Sequence, residues 1–384
     1  MVAGLAGISR SYLAMLERGE RRFDRRGLLE GLAAVLGCSV VDLTGQPYPP
    51  TDRVAAQTQA SVGEVSAALY DSMLTDMPAD RVRPVAELTE LAAAANRHTD
   101  ESRYSAAAAG LGTVLTELHV HAVHSAGQRH QTLAALIEAC WAATGIARQL
   151  GRPEVAVRAA QRAAEAASEL QSEPLMAFTA MSHAGALARL GARRAARLVL
   201  LRGFEVVERV ADPAGEDTSG AEGLGMLHLA SAQLAAREGR RPDADTHLRE
   251  ARELATRTGE RNAHLYHFGP ANVTAWQLAI AVELDRGPSV AAAVDTSPAM
   301  FATLRSADRR AGFHLELARA WAQSGGDRDV LALRHLDAAD MIAPQRLRND
   351  PIARELVVAL GSRAQRRSWE LDSLRHRFGL IQPR

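Results

Sequence analysis

The chain has 384 residues, of which 47% are hydrophobic but only 4% aromatic, so its apolar content is mainly aliphatic and rich in alanine. This composition favours closely packed helices over β-sandwiches or barrels and predicts an all-α protein of two or three domains, or of one small domain attached to a repeat array. No lysine occurs, and 45 arginines are balanced by 45 acidic residues, which excludes a uniformly basic surface and requires any DNA binding to come from a local cluster.

The cysteine count and the hydropathy pattern limit the expected location of the protein. Cys38 and Cys140 are the two cysteines and do not form a CxxC pair, so neither a disulfide framework nor a zinc site is indicated. No stretch approaches about 18 uninterrupted apolar residues, and the N-terminus lacks the basic-then-apolar order of a signal peptide. We therefore expect a cytoplasmic protein that is neither exported by that route nor inserted in a membrane.

The first 45 residues are predicted to form short helices separated by glycines. Ser9 is expected to cap one helix and Asp24 to cap a longer one. On the longer helix the apolar positions are spaced by three and four residues. They are Leu28, Leu29, Leu32, Val35 and Leu36. The glycines expected to end the helices are Gly7, Gly19, Gly37 and Gly45.

The segment VAGLAGISRSYLAMLERG, residues 2–19, resembles the helix-turn-helix of the xenobiotic-response-element regulators, a phage-repressor-like family. Ala3 is small where the second helix of the motif would cross it, and Gly7 supplies the turn. The expected buried anchors are Ile8, Leu13 and Leu16. The remaining helices of the first 45 residues match the family in order and spacing, so the resemblance implies a DNA-binding domain over residues 1–45.

The resemblance implies that the second helix of the motif inserts into the major groove of double-stranded DNA. The positions that match the DNA-contacting ones are Ser9, Arg10, Ser11, Tyr12 and Met15. Arg10 can bind a guanine or a phosphate, Ser11 can contact either kind of group, and Met15 can touch a thymine methyl. Further arginines are assigned mainly to phosphates: Arg18, Arg21, Arg22, Arg25 and Arg26. The alternatives are a solvated helix face for the arginines and a place in the core for Tyr12.

The family's fold opens with a full helix before the motif, whereas this chain begins inside the motif. Without that helix, the apolar faces of Leu5, Leu16 and Leu32 lose a packing partner, at a cost in stability on the order of several kcal/mol. We expect that the natural start lies upstream of Met1. A crippled DNA-binding domain is the alternative, and mass spectrometry of the natural N-terminus distinguishes the two.

Residues 46–51, Gln-Pro-Tyr-Pro-Pro-Thr, form the predicted connector between two domains. Three prolines within four residues prevent a continuous helix and favour an extended chain. The second domain is predicted to span residues 52–384. Alanine- and leucine-rich helical stretches alternate there with short Gly, Pro or Asp breaks, and no period-two pattern of strands occurs.

Five glycines recur at predicted helix ends in the second domain: Gly151, Gly191, Gly239, Gly287 and Gly326. Each is followed five positions later by an apolar residue and twelve positions later by a small one. This pattern resembles the tetratricopeptide repeat over about residues 130–345 and implies a solenoid of stacked helical hairpins. Another helical-repeat or bundle packing is the alternative.

Histidines and catalytic motifs give no indication of an enzyme. His119, His121 and His124 lie in the sequence HVHAVH, but positions 119 and 121 are about 200° apart on a helix, so convergence on one metal ion is not expected. His264 and His267 are predicted to line a groove or an interface. No phosphate loop, nucleophile elbow or pair of catalytic carboxylates occurs. We expect no catalytic residue, metal site or cofactor.

Together these features predict a transcriptional regulator that binds DNA through residues 1–45. By the same resemblance, the repeat domain is expected to form a homodimer and to sense a peptide or small-molecule signal in its concave face. Two half-sites would raise the affinity of a small module through effective concentration. The alternative is a protein-interaction scaffold whose N-terminal domain no longer binds DNA.

Overall fold

A computed structural model of the protein describes residues 1–50, 52–364 and 368–380. These residues form α-helices joined by turns and short 3-10 helices, and no β-strand occurs among them. The prediction of an all-α protein is confirmed. Alanine, leucine and arginine are the commonest residues of the chain, and all three have high helix propensity.

Four short helices make up the N-terminal segment. They are α1 (Val2–Leu5), α2 (Arg10–Glu17), α3 (Arg26–Leu36) and α4 (Val40–Thr44). The predicted turns are found, since Gly7 and Gly19 have positive φ and Gly37 and Gly45 are left-handed C-caps of α3 and α4. A left-handed C-cap favours glycine because it lacks a Cβ. In this segment the local sequence therefore fixes the C-terminal ends of the helices.

We refer to the helices that follow residue 52 as the repeat region. Its first part contains helices of mixed length. They are α5 (Arg53–Asp71), α6 (Val85–Asp100), α7 (Tyr104–Ala108) and α8 (Leu111–His124). Their apolar faces join the largest hydrophobic core, which continues through the next helices as far as Leu284. Burial of this shared face holds the region together.

Five pairs of consecutive helices follow, and the two helices of each pair pack against each other. The pairs are α9 (Arg129–Gln149) with α10 (Pro153–Leu170), α11 (Glu173–Leu190) with α12 (Arg193–Val207), α13 (Ser219–Arg237) with α14 (Arg241–Thr258), α15 (Pro270–Glu283) with α16 (Gly287–Ala293), and α18 (Ala307–Ser324) with α19 (Asp329–Ile342). A short helix, α17 (Pro298–Thr303), separates the last two pairs. The first helices of neighbouring pairs also contact one another, so the pairs form a stack.

Three helices complete the described chain: α20 (Pro344–Arg348), α21 (Pro351–Arg363) and α22 (Trp369–Arg377). They pack around α18 and α19 in a second hydrophobic core. Among the described residues, no helix combines the length and the apolar character that crossing a membrane requires. The tetratricopeptide resemblance of the stack stays a prediction.

The predicted repeat positions hold in the first three pairs and shift in the last two. The turn glycines of the first three pairs have positive φ, and the residues five positions later, Ala156, Ala196 and Ala244, are fully buried. In the fourth pair Asp285 has the positive φ, Gly287 begins a helix instead of ending one, and Ala292 is exposed. The predicted register is therefore wrong in that pair.

In the fifth pair a 3-10 turn, Gly326–Arg328, precedes α19 and moves the register by one residue. Ala332 and Ala339 are buried there instead of the predicted Leu331 and Ala338, which are half-buried. Counted from the first residue of α19, these two alanines occupy the same positions as the buried small residues of α10, α12 and α14. The helix start, and not the nearest glycine, sets the register.

Candidate nucleic-acid interface and its attachment to the repeat region

Helix α2 presents its N-terminal turn to solvent. The predicted cap is confirmed, because the Ser9 hydroxyl accepts a hydrogen bond of 3.1 Å from the Tyr12 amide. Ser9, Arg10 and Ser11 are exposed, and no residue of α2 is fully buried. The N–H groups of this turn and the positive end of the helix dipole can attract an anion such as a phosphate.

The eight residues predicted to contact DNA divide by exposure into two groups. Exposed are Ser9, Arg10, Ser11, Arg18 and Arg21, and half-buried are Tyr12, Met15 and Arg22. Among the described residues, no carboxylate lies within ion-pair distance of Arg10 or Arg21. The Arg18 guanidinium forms two hydrogen bonds of 2.6 and 2.9 Å with the Glu20 carboxylate. Three cationic side chains therefore lie at the surface of this segment, two of them unpaired.

The predicted anchors of the motif are only partly covered. Ala3 is 3% exposed, as expected for a small residue at a helix crossing, but Ile8, Leu13 and Leu16 are all half-buried. Tyr12 is half-buried as well. Burial, together with the Asp24 carboxylate, raises the pKa of its phenol. Tyr12 thus faces both its own segment and the solvent, which leaves both of its predicted roles open.

Three other arginines of the segment point towards the repeat region instead. Arg22 lies 3.8 Å from the Glu355 carboxylate, and Arg25 forms an ion pair of 2.5 Å with Asp285. Arg26 pairs with Asp350, whose side chain is 4% exposed. In this arrangement Arg25 and Arg26 neutralise acids of the repeat region and are not free to hold phosphates.

The N-terminus of α3 is capped by a residue far along the chain. The predicted cap, Asp24, is wrong, because α3 begins at Arg26 and has no side-chain cap from its own segment. The two oxygens of Glu283 accept instead from the amides of Arg26 and Gly27, at 3.2 and 3.0 Å. A carboxylate at a helix N-terminus also interacts favourably with the helix dipole.

A second glutamate, Glu30, fixes the next turn of α3. Its carboxylate is 5% exposed and lies 3.1 Å from Arg193 and 3.0 Å from Arg237. Between these contacts Gly27 touches the backbone of Arg237 so closely that a Cβ on Gly27 would lie 2.3 Å from the Arg237 carbonyl oxygen. Glycine is therefore required at this position for α3 to approach α13.

Two of the acids that hold α3, Glu283 and Asp350, have a lowered pKa. Burial raises the pKa of Glu283, but Arg319, Arg237 and the Gly27 amide outweigh it and hold that pKa at about 2. Burial likewise raises the pKa of Asp350, and Arg26 and Arg189 bring it down to about 2. Because both carboxylates stay charged near neutral pH, the attachment of α3 is electrostatic as well as steric.

The connector also contacts the repeat region along its described part. The Gln46 side-chain amide donates to the Asn349 carbonyl at 2.7 Å, and the Arg354 guanidinium lies 4.1 Å from the centre of the Tyr48 ring. Thr51, the last residue of the predicted connector, lies outside the described residues. The contacts of Gln46 and Tyr48 tie the connector to α21 and to the turn before it.

A cavity of about 250 Å³ lies beside the attachment site of α3. Most of its wall comes from the first helices of the five pairs, and α6, Leu200, Leu265, Arg346 of α20 and Arg26 contribute the rest. Arg237, which holds Glu30, also lines it. The cavity therefore adjoins two of the side chains that attach the N-terminal segment.

The histidines singled out in the sequence have separate partners. His119 is buried and its Nδ1 lies 2.6 Å from the Leu115 carbonyl oxygen. His121 contacts the Arg83 carbonyl, and His124 the Met77 carbonyl. His267 lies 2.9 Å from the Asp100 carboxylate, a partner that its sequence neighbours do not reveal.

Sequence reasoning missed the two glutamates that attach α3. Glu30 interrupts the apolar run of α3, and Glu283 ends the apolar run LAIAVE of α15. A charged residue within an apolar helical face is a signal of a buried pair, since an unpaired buried charge is costly. The partner could not be identified in this way, because Glu30 and Arg237 are separated by 207 positions. Comparison of the chain with protein-family models, curated proteins and solved structures finds no match.

Proposed function

We propose that the protein is a sequence-specific transcriptional regulator that binds double-stranded DNA through α2 and the residues around it. One observation supports this proposal above the others. The capped N-terminal turn of α2 is exposed next to Arg10, which has no ion pair within the described part of the chain, while Arg25 and Arg26 of the same segment attach it to the repeat region. The segment is thus held by one side and offers the other side to a ligand.

The chemistry of the exposed side suits a nucleic acid. Arg10 can read a guanine edge or bind a phosphate. Arg18 and Arg21 follow α2 closely in the sequence and can contact the DNA phosphate backbone. A single segment with so few arginines should bind DNA weakly, because contacts with phosphates supply most of the affinity for DNA. We therefore propose a homodimer in which two segments occupy two half-sites.

In this proposal the repeat region sets the position of the DNA-binding segment and responds to an effector. Glu283, Asp350 and Glu30 hold α3 by charged contacts, and the cavity that would receive the effector adjoins them. An effector that binds one arrangement of α3 better than another would shift the population of DNA-competent molecules.

Titration of double-stranded DNA from upstream of the protein's own gene tests the proposal by fluorescence anisotropy at several salt concentrations. We expect Arg10→Ala to weaken specific binding tenfold to hundredfold, or about 1–3 kcal/mol. Arg209→Ala is the matched control, because Arg209 is exposed in the repeat region and, among the described residues, has no ion pair. It should bind as the wild type does.

The scaffold alternative predicts a different result. It is favoured by the incomplete burial of the motif's anchors, Ile8, Leu13 and Leu16. Absence of salt-sensitive DNA binding, or equal binding by the Arg10→Ala and Arg209→Ala variants, would support the scaffold and reject the regulator.

A further inference from the structure

The cavity beside α3 carries an excess of positive charge. Six arginines line it: Arg26, Arg148, Arg189, Arg237, Arg309 and Arg346. Three acids line it as well: Asp100, Asp308 and Glu316. Each acid already has a partner within the protein, since His267, Arg346 and Arg319, respectively, lie within 2.9 Å of them. The acids therefore leave part of the positive charge without compensation.

Three of the six arginines have no carboxylate partner among the described residues. Arg26, Arg237 and Arg346 form ion pairs with Asp350, Glu30 and Asp308. The other three, Arg148, Arg189 and Arg309, form the cavity arginine cluster. Arg309 donates to the neutral side chain of Asn272 at 3.0 Å. For Arg148 and Arg189 the described part of the chain supplies no side-chain hydrogen bond, and the Arg148 Nε is shielded from solvent without a partner.

Burial disfavours the charged form of the three arginines in this cluster. Burial lowers the pKa of Arg148 and, more strongly, that of Arg189, and the attraction of Asp308 and Asp350, respectively, offsets this only in part. Burial lowers the pKa of Arg309 to about 10. All three guanidinium groups still carry a positive charge at neutral pH. A desolvated charge without a counter-charge is costly, so proteins pair it or supply it with a ligand.

The volume of the cavity limits the ligand to a small molecule, and the rest of its wall is partly apolar. A cavity of about 250 Å³ is below the about 300–1,000 Å³ of pockets that accept drug-sized ligands. Trp141, Trp276 and Phe313 provide apolar surface beside the cluster. The planar fork of arginine matches the two oxygens of a carboxylate or a phosphate.

We propose that this cavity binds a compact organic anion with two or more negative charges, carboxylate or phosphate, and that Arg148, Arg189 and Arg309 are its counter-charges. The assignment of this anion as the effector rests on the proposed function, whereas its binding does not. Because Arg26 lines the cavity only while α3 is attached, the anion and the attachment of α3 stabilise each other.

Thermal unfolding and calorimetry of the full chain, without DNA, test the binding. The probes are succinate and citrate as carboxylates, inorganic phosphate and glycerol 3-phosphate as phosphates, and glycerol as the neutral control, all at constant ionic strength. We expect at least one anion to raise the Tm by about 3 °C or more at saturation, with no effect of glycerol. The responding group of probes distinguishes a carboxylate from a phosphate ligand.

The variants Arg148→Met and Arg189→Met remove one guanidinium each and keep an apolar chain of similar length. We expect each to weaken anion binding tenfold or more. Arg148→Met should also leave the Tm of the ligand-free protein unchanged or raised, because the buried Nε of Arg148 has no partner among the described residues. Arg148→Lys should restore part of the affinity, and Arg209→Met should behave as the wild type.

Three results would overturn the proposal. They are a lack of Tm change with every anion, equal anion binding by the wild type and both methionine variants, or a lower Tm of ligand-free Arg148→Met, which would assign that arginine a structural role. Failure of the regulator would appear only in the DNA titration. The two proposals can therefore fail independently.

Discussion

Replacement of Gly27 by alanine tests the attachment of α3 most directly. The added Cβ would lie 2.3 Å from the carbonyl oxygen and 2.8 Å from the Cα of Arg237, whereas ordinary contact begins at 3.4 Å. Both obstructing atoms belong to the backbone of α13 and cannot rotate away. The N-terminus of α3 must therefore retreat by about 1 Å.

This displacement breaks charged contacts that are already at ordinary hydrogen-bond length. The hydrogen bond from the Gly27 amide to Glu283 is 3.0 Å long, and the ion pair of Glu30 with Arg237 is also 3.0 Å. A hydrogen bond to a charged group contributes about 1.5–3 kcal/mol, and overpacking costs about 1–3 kcal/mol. We expect Gly27→Ala to reduce the stability of the attached state by about 3–5 kcal/mol.

Gly31→Ala is the matched control on the same helix. A Cβ on Gly31 meets nothing within 4 Å, so alanine should only add helix propensity, about 1 kcal/mol. Hydrogen exchange followed by mass spectrometry measures the protection of amides 26–30. We expect fast exchange there in Gly27→Ala and protection as in the wild type in Gly31→Ala. Equal protection in the two variants would refute the close approach of α3 to α13.

Further predictions concern pH, packing and thiol reactivity. The pKa of Glu283 is about 2 in the folded protein but near 4.5 in the unfolded chain, so its carboxylate stabilises the fold by about 3 kcal/mol above pH 4.5. This stabilisation is lost as the pH falls towards 2. Glu283→Gln should therefore flatten this part of the stability profile, measured by urea unfolding. Gly225→Ala would place a Cβ 2.1 Å from the buried Phe268 ring and should lower the Tm sharply, whereas Gly63→Ala, with open space around it, should not; equal Tm values would contradict the packing of α13. Burial raises the pKa of Cys140 to about 12, so a thiol reagent at pH 8 should titrate only Cys38 in the folded protein and both cysteines in denaturant; two reactive thiols in the folded protein would be the contrary outcome.

The sequence predicted features of the fold that depend on short stretches of chain. The cap of α2 by Ser9 and the left-handed glycines after α3 and α4 involve residues within a few positions of each other. Alternation of helical stretches with breaks gave the all-α class for the same reason. A 3-10 turn moved the register of the fifth pair by one residue, and in the fourth pair the positive φ lies at Asp285, two positions before the expected Gly287.

The candidate site divides in the same way. Exposure of Ser9, Arg10 and Ser11 follows from the amphipathic pattern of one helix and was predictable. The use of Arg25 and Arg26 was not, because Asp285 and Asp350 stand more than 250 positions away and resemble any other surface acids in the sequence.

By itself, the sequence determined an all-helical chain, the C-terminal ends of its first helices and the exposed N-terminal turn of α2. Only the tertiary structure decided that Glu283 caps α3, that Glu30 joins α3 to Arg193 and Arg237, and that the cavity arginine cluster shares one space. The physical reason is that caps and turns are governed by adjacent residues, whereas the pairing of buried charges depends on which helices the stack brings together.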